Sequence, residues 1–151
     1  HLEKLRPIID KIRDISSHTA SFFIEEDNHC ICLYRAHSNI QNHYTLEQGS
    51  RLKLTQGASG KVILAYGRRS SDKYGLYKDI RDQGYCLSTN THNKALFALA
   101  VPVISSSDKF VGSIVVSGPK DNFDEVQKKS LLDLLKNQLK GVVNKNGRLI
   151  S

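Results

Sequence analysis

The sequence lacks the features that mark membrane, secreted and metal-binding proteins. No apolar run approaches the length of a membrane-spanning helix, and no signal-peptide pattern is present. The three Cys are an odd number at no metal-ligand spacing, so they imply no disulfide framework, and the six His show no zinc-site spacing. We therefore expect a cytoplasmic protein with no metal site and no cofactor.

Methionine is also absent, and the chain begins with His1. That is unusual for 151 residues of this hydrophobicity. Two explanations stay open: the sequence is a fragment of a longer protein, or some positions are missing from it. The length itself fits one domain with a sizeable core, so we expect a single domain over residues 1–151.

Basic residues exceed acidic ones, 22 against 15, and the net charge is +7. The excess is concentrated in residues 51–81, which contain eight basic side chains and two acidic ones. Such a segment attracts anions, whether nucleic acid or a small ligand. Because no base-reading helix, zinc finger or stacking motif accompanies the charge, we favour a solvated basic surface over direct DNA contact.

One segment, Gly49–Tyr66, changes from a strand end to a small-residue loop and then to an apolar helix. Thr55 is the predicted helix cap, and Gly57-Ala58-Ser59-Gly60 places little side-chain bulk at the first turn. Two interpretations stay open: a turn whose glycines permit tight helix–sheet packing, or an anion site at the positive end of the helix. A nucleotide P-loop is excluded, because Thr55 replaces its first Gly and Val62 its magnesium-binding hydroxyl.

Hydrophobic periodicity predicts an α+β fold. Because strands joined by tight turns pair antiparallel, we expect a sheet of about six strands with the helices packed on one face. The predicted elements are helix 2–17, strands 20–26, 29–36 and 42–48, a helix capped by Thr55, helix 78–83, strands 85–91, 96–104 and 110–117, and a last helix capped by Asp121 or Asn122.

Three local patterns make sharper predictions. Alternation along strand 29–36 places Arg35 on the side opposite to Cys30 and Cys32. Pro102 lacks an N–H, so its strand is interrupted there or hydrogen-bonded on one side only. The buried stripe predicted for the last helix is Phe123, Val126, Leu131, Leu134, Leu135, Leu139 and Val142.

No enzyme signature is present, since the sequence has no Gly-x-Ser-x-Gly elbow and no carboxylate pair stands out. Cys30 and Cys32 share a strand face, and Cys86 opens another strand, which makes a thiol redox site an alternative. Buried structural thiols are more common, and no basic or resolving partner is obvious. We therefore expect a protein that is not an enzyme.

Four segments, taken in order, resemble the effector-binding C-terminal domain of the IclR family of bacterial transcription regulators. They are Gly49–Thr55 leading into Gly60–Ala65, Ile80–Tyr85, Ala98–Val103, and Gly112 to Pro119. The resemblance extends from about Pro7 to Val143. It implies a GAF-like fold, a homodimer or homotetramer, and a winged helix-turn-helix DNA-binding domain upstream of His1.

The resemblance also implies a pocket for a small metabolite, often a carboxylic acid. Carried over position by position, the ligand contacts are Tyr44, Leu52, Ala58, Ser59, Ser88, Leu96, Ala98, Val115 and Ser117. The N–H groups of Ala58 and Ser59 would hold the carboxylate, which favours the anion site over the plain turn. The strand positions 88, 98, 115 and 117 include only two hydroxyls, and turn 92–95 lacks the family's usual acidic residues and glycine. A more apolar effector, or a pocket that no longer binds one, therefore stays open.

The expected function is effector binding and oligomerisation in a regulator that reaches DNA through its upstream domain and does not contact membranes. Two alternatives remain: a free-standing GAF-type sensor and a GAF-like thiol redox enzyme. The residues do not indicate the effector, the operator, or whether the ligand activates or represses.

Overall fold

The computed structural model describes residues 2–38, 48–67, 75–89, 95–105, 107, 109–121, 123–139 and 148–149. Six strands form an antiparallel sheet in the order β3-β2-β1-β6-β5-β4, and β7 pairs in parallel with β5. The predicted α+β fold is confirmed. The elements are α1 Leu2–Ser16, β1 Thr19–Glu26, β2 His29–Ala36, β3 Arg51–Lys53, α2 Gly57–Tyr66, α3 Leu76–Gln83, β4 Cys86–Ser88, β5 Leu96–Ser105, β6 Phe110–Pro119, α4 Glu125–Leu139 and β7 Arg148–Leu149.

Strands β5 and β6 form the centre of the sheet because both are apolar over almost their whole length. They pair from Leu96 opposite Pro119 to Ile104 opposite Phe110. A strand that is apolar at consecutive positions buries both of its faces. Neighbouring residues accordingly belong to two different hydrophobic clusters: Leu99 packs with residues of α1 and α4, and Ala100 packs with residues of α2.

Helices cover both faces of the sheet, so the prediction of helices on one face is wrong. α1 and α4 pack on the face that carries Leu99 and Val116, which we call the α1 face. α2 packs on the face that carries Ala100 and Val115, which we call the α2 face, and α3 packs against α2. The physical reason is the double-sided burial of β5 and β6, which one layer of helices cannot provide.

The third strand lies at Arg51–Lys53, after Gly49 rather than before it. The predicted strand 42–48 lies outside the described residues except for Gln48, which is in a turn. β4 is shorter than predicted, and α3 begins two residues earlier, at Leu76. β6 continues through Gly118 to Pro119 because both residues still pair with β5.

Pro102 does not interrupt β5. It pairs with Ser113 of β6, whereas the pairing with β4 ends at Ala100 and the pairing with β7 begins at Ile104. Within the described strands Pro102 is therefore bonded on one side, as its missing N–H predicts.

Helix α4 begins later than predicted. Its cap is Asp124, whose Oδ1 accepts a hydrogen bond of 2.9 Å from the N–H of Gln127. Leu131 and Leu135 are buried as predicted, but the side chain of Val126 is 76% exposed. The prediction for Val126 is wrong because the first turn of α4 lies beyond the edge of the core, and Val142 lies outside the described residues.

Candidate functional site

The N-terminus of α2 is the first part of the candidate site. Its cap is Gln56, not Thr55, and the side chain of Gln56 makes no capping hydrogen bond. Thr55 lies inside a turn closed by the Gln56 N–H donating to the Lys53 carbonyl over 3.0 Å, so it is too early to cap the helix. Gly57 follows with a φ of +79°, a conformation that favours glycine.

The electrostatics of this helix end favour an anion. α2 has no acidic residue in its first turn, so no carboxylate compensates the positive end of the helix dipole. Ala58 and Ser59 are both buried in that turn. The hydroxyl of Ser59 donates to Sγ of Cys30 over 3.7 Å, which leaves its backbone N–H as the group that can face an anion.

Gly60 fits the other interpretation of this segment, in which the glycines permit tight packing between the helix and the sheet. A Cβ there would overlap the carbonyl oxygen of Leu54, so the turn folds back directly onto the helix. The absence of a side chain at Gly60 therefore serves packing, while the buried residues Ala58 and Ser59 remain the candidates for anion binding.

A cross-strand row on the α2 face is the second part of the site. Ala98 of β5 lies opposite Ser88 of β4 and opposite Ser117 of β6. Directly paired residues point to the same face, and neighbouring strands are about 4.8 Å apart, so the Cα atoms of the two serines lie about 10 Å apart with Ala98 between them. Val115 lies in the next row, opposite Ala100.

Of the remaining predicted contacts, two lie at the edges of the α2 face and one lies outside the described residues. Leu52 pairs with Cys30 and packs partly buried against the α2-face cluster. Leu96 is partly buried two positions before Ala98, on the same face of β5. Tyr44 lies outside the described residues.

Sequence reasoning missed Arg35. The pairing of β1 with β2 shifts between Phe22 and Phe23, so Ser21 faces Arg35 while Phe23 faces Cys32. The bulge moves Arg35 to the α2 face, on the same side as Cys32, which makes the prediction from simple alternation wrong. The guanidinium lies over the ring of Phe23, 6.0 Å from its centroid.

The thiols lie on the α2 face but are not activated. Burial raises the pKa of Cys30 from its ordinary value of 9.0 to about 11. Burial also raises the pKa of Cys86, and the nearby positive charge of Lys61 only partly offsets that effect. Both groups are therefore protonated thiols at neutral pH, which disfavours a redox role because the thiolate is the reactive form.

The described residues give no sign of a metal centre or of a membrane-spanning helix. They contain no group of three or more His, Cys, Asp or Glu side chains that could hold a metal ion. None of their helices is long and apolar enough to cross a membrane. A groove of about 570 Å³ lies along α4 and contains none of the predicted ligand contacts; it is lined by Glu125, Val126, Lys129, Ser130 and Asp133.

Comparison with known proteins extends these observations. Residues 75–142 match the family model described as the bacterial transcriptional regulator IclR C-terminal domain. Over this segment the chain is similar to the C-terminal domains of IclR-family regulators. The Pca operon regulatory protein of Acinetobacter baylyi is 23% identical, over 76% of this chain and 50% of that protein.

Solved structures of the IclR family share the fold over nearly the whole chain. The C-terminal domain of a transcriptional regulator from Vibrio cholerae superposes with a TM-score of 0.79 at 22% identity, covering 91% of this chain and 94% of that one. The Thermotoga maritima IclR gives a TM-score of 0.79 at 16% identity, covering 90% of this chain and 64% of that one. The chain spans about half the length of the curated relatives it matches, 50% and 56%.

Proposed function

We propose that this domain binds a small organic metabolite, a carboxylate, and thereby controls DNA binding by an IclR-type regulator. The observation that carries the proposal is the α2 N-terminus, which has no side-chain cap and no acidic residue and begins with the buried residues Ala58 and Ser59. On the same face lies the row of Ser88, Ala98 and Ser117. The carboxylate of a small ligand would accept hydrogen bonds from the backbone N–H groups of Ala58 and Ser59. The rest of the ligand would lie along the row of serines and Ala98.

The regulatory part of the proposal rests on the relatives. The curated relative from Acinetobacter baylyi is named as an operon regulatory protein, and the family is one of transcription regulators. DNA contact would come from a winged helix-turn-helix domain upstream of His1 and not from this domain. A regulator of this kind works in the cytoplasm, where the DNA is, as a homodimer or homotetramer.

The mechanism we propose has two states. A ligand that binds one arrangement of subunits better than the other shifts the population toward it by its differential affinity. Closure of the strands around the turn Thr55–Lys61 would change the geometry between subunits, and with it the spacing of the DNA-binding domains. No observation favours a thiol enzyme, since burial keeps Cys30 and Cys86 protonated.

Calorimetric titration of the complete protein with small carboxylates tests the proposal. Ser59→Trp would place a large ring at the first turn of α2, and we expect it to abolish binding. Because Ser59 is 4% exposed, the milder substitution Ala98→Leu, at a partly buried position, guards against misfolding. Val126→Trp is the matched control, since that side chain is 76% exposed on α4.

Each outcome of this experiment either supports or overturns the assigned site. Loss of binding in Ser59→Trp and Ala98→Leu, with Val126→Trp unchanged and all three folded by circular dichroism, supports the assigned site. Unchanged affinity in the two site variants overturns it. A protein that binds ligand at this site but whose DNA affinity does not respond would be a free-standing sensor and not a regulator.

A further inference from the structure

The ring of His18 occupies a niche on the α1 face of the sheet, just after the end of α1. It meets the ring of Phe97 edge-on, with the centroids 5.1 Å apart and the planes at 89°. Gly118 lies directly opposite Phe97 and leaves the space that the ring fills. A Cβ at Gly118 would overlap Nδ1 of His18 and would lie 3.0 Å from its Cε1. His18 therefore packs the end of α1 onto the paired strands β5 and β6.

The backbone of the two-residue connection between α1 and β1 is constrained. Ser17 has a φ of 63°, in the left-handed region that residues other than glycine seldom adopt. Its N–H donates to the carbonyl of Arg13 over 2.8 Å and closes the last turn of α1. The N–H of His18 donates to Oγ of Ser16 over 3.1 Å. Because the side chain of Ser17 is exposed, the ring of His18 is the part of this connection that packs on the sheet.

The niche suits a neutral imidazole better than an imidazolium. The strands that form it, β5 and β6, have no ionisable residue along their lengths. Burial lowers the pKa of His18 from its ordinary value of 6.5, and no carboxylate of the described residues offsets that effect. The charged or titratable residues on the neighbouring segments are Arg13 and Asp14 in the last turn of α1, Arg35 and His37 around the end of β2, Glu25 and Glu26 at the far end of β1, and Lys120, Asp121 and Asp124 between β6 and α4. Arg13 and Asp14 form an ion pair with each other over 2.9 Å.

Protonation of His18 is therefore coupled to the position of its ring. A charged ring is solvated better in water than against Phe97 and the backbone of Gly118, so the state in which the ring has left the niche binds the proton more tightly. Above pH 6.5 the ring is neutral in both states, and the packed state is retained. As the pH falls below 6.5, the released ring takes up the proton first, and the packed state loses stability. Opening one helix end costs less than unfolding the domain, so this opening comes first.

We propose that His18 is a pH-dependent switch at the base of α1. In its neutral form the ring fixes the C-terminal end of α1 on β5 and β6. In its protonated form the ring leaves the niche beside Gly118 and releases that end of the helix. Since the proposed DNA-binding domain would join the chain ahead of α1, acidification would loosen the attachment of that domain to the sheet. This last consequence rests on the proposed function, whereas the switch itself does not.

Hydrogen exchange in the complete protein, without ligand or DNA, tests the switch. The readout is the protection of the amides of residues 13–17, corrected for intrinsic exchange, at about pH 5 and about pH 7.5, which span the range in which histidine titrates. His18→Gln and His18→Phe both remove the titrating ring. Gly118→Ala keeps His18 but fills its niche. His29→Gln is the matched control, because it removes an imidazole at the turn between β1 and β2.

We expect the wild-type amides of residues 13–17 to exchange faster at about pH 5 than at about pH 7.5, while the central amides of β5 stay protected because the opening is local. The difference should vanish in both His18 variants and persist in His29→Gln. Gly118→Ala should exchange fast at both pH values, since its methyl group excludes the neutral ring as well.

Equal protection of residues 13–17 at both pH values in the wild type overturns the switch. A pH difference that survives in both His18 variants also overturns it, because another group would then be responsible. If neither variant folds, an NMR titration of the wild type decides: the amide signal of Ser17 must follow the ring signal of His18, and independent midpoints overturn the switch. None of these measurements involves an effector, so the switch and the proposed function can fail separately.

Discussion

The backbone of Leu54 lies directly against Gly60. A Cβ built on Gly60 would overlap the carbonyl oxygen, the carbonyl carbon and Cα of Leu54. The contact joins the end of β3 to the second half of the first turn of α2, so it fixes where the helix begins relative to the sheet.

Gly60→Ala should therefore destabilise the domain, because a new methyl group meets rigid backbone and not a movable side chain. We expect a loss of about 2 kcal/mol or more in the free energy of unfolding, measured by urea denaturation. Gly84→Asn is the control: Gly84 has a φ of +87° but nothing within 4 Å of its added Cβ, and Asn tolerates that conformation. Equal stability of the two variants would contradict the packing described.

Asp124 caps α4, so Asp124→Ala should cost about 1 kcal/mol, the usual value of a lost side-chain cap. For a domain of this size that corresponds to a fall in Tm of about 3 °C in a calorimetric scan. Asp121→Ala, at one of the two cap positions that the sequence predicts, should leave Tm unchanged. The reverse pattern would show that α4 begins before Glu125.

Cys30 should make stability fall as the pH rises above 9. The folded state raises its pKa from 9.0 to about 11, so the unfolded state releases the proton first and gains stability over that window. The contribution lost by pH 11 is about 2 kcal/mol. Because Lys and Tyr also titrate there, the measurement is the difference in pH dependence between wild type and Cys30→Ala. Identical slopes would mean that Cys30 is exposed.

The pair of Phe97 and Phe123 on the α1 face should contribute far more to the free energy of unfolding than the exposed Val126 does. Phe97 is fully buried and stacks on Phe123, with ring centroids 4.0 Å apart. Phe97→Ala should cost about 3–5 kcal/mol. Val126→Ala, at a side chain 76% exposed, should change the free energy of unfolding by less than about 0.5 kcal/mol. A large effect at Val126 would indicate an intermolecular contact at α4.

The central part of the fold was predictable because periodicity reports burial. The apolar runs of β5 and β6 and the turn at Asp27-Asn28 are visible in the sequence, and the structure confirms them. The number of helix layers was not predictable, since the sequence of a strand that is apolar on both faces does not indicate which helix covers which face. The cap of α2 was also missed, because Thr55 lies inside the turn closed between Lys53 and Gln56, and the sequence does not show that this turn precedes the helix.

The face of Arg35 was missed for a different reason. Alternation assumes one residue per pleat, and the bulge between β1 and β2 breaks that rule. A signal was present: Leu33 and Tyr34 are consecutive large apolar residues, and both pack on the α1 face. Two consecutive residues can share one face of a strand only at an irregularity such as a bulge. This pair could therefore have predicted that Arg35 lies on the α2 face.

The connection between α1 and β1 has a mechanical consequence. α1 ends at Ser16, and β1 begins at Thr19, which lies opposite Ser117 in the row that also contains Ala98 and Ser88. Only Ser17 and His18 separate that row from the helix, and the Ser38 hydroxyl donates to the carbonyl of Ser17 over 2.8 Å. Because the connection has only two residues, a shift of β6 toward or away from a ligand would be transmitted through the paired Thr19 to the C-terminal end of α1.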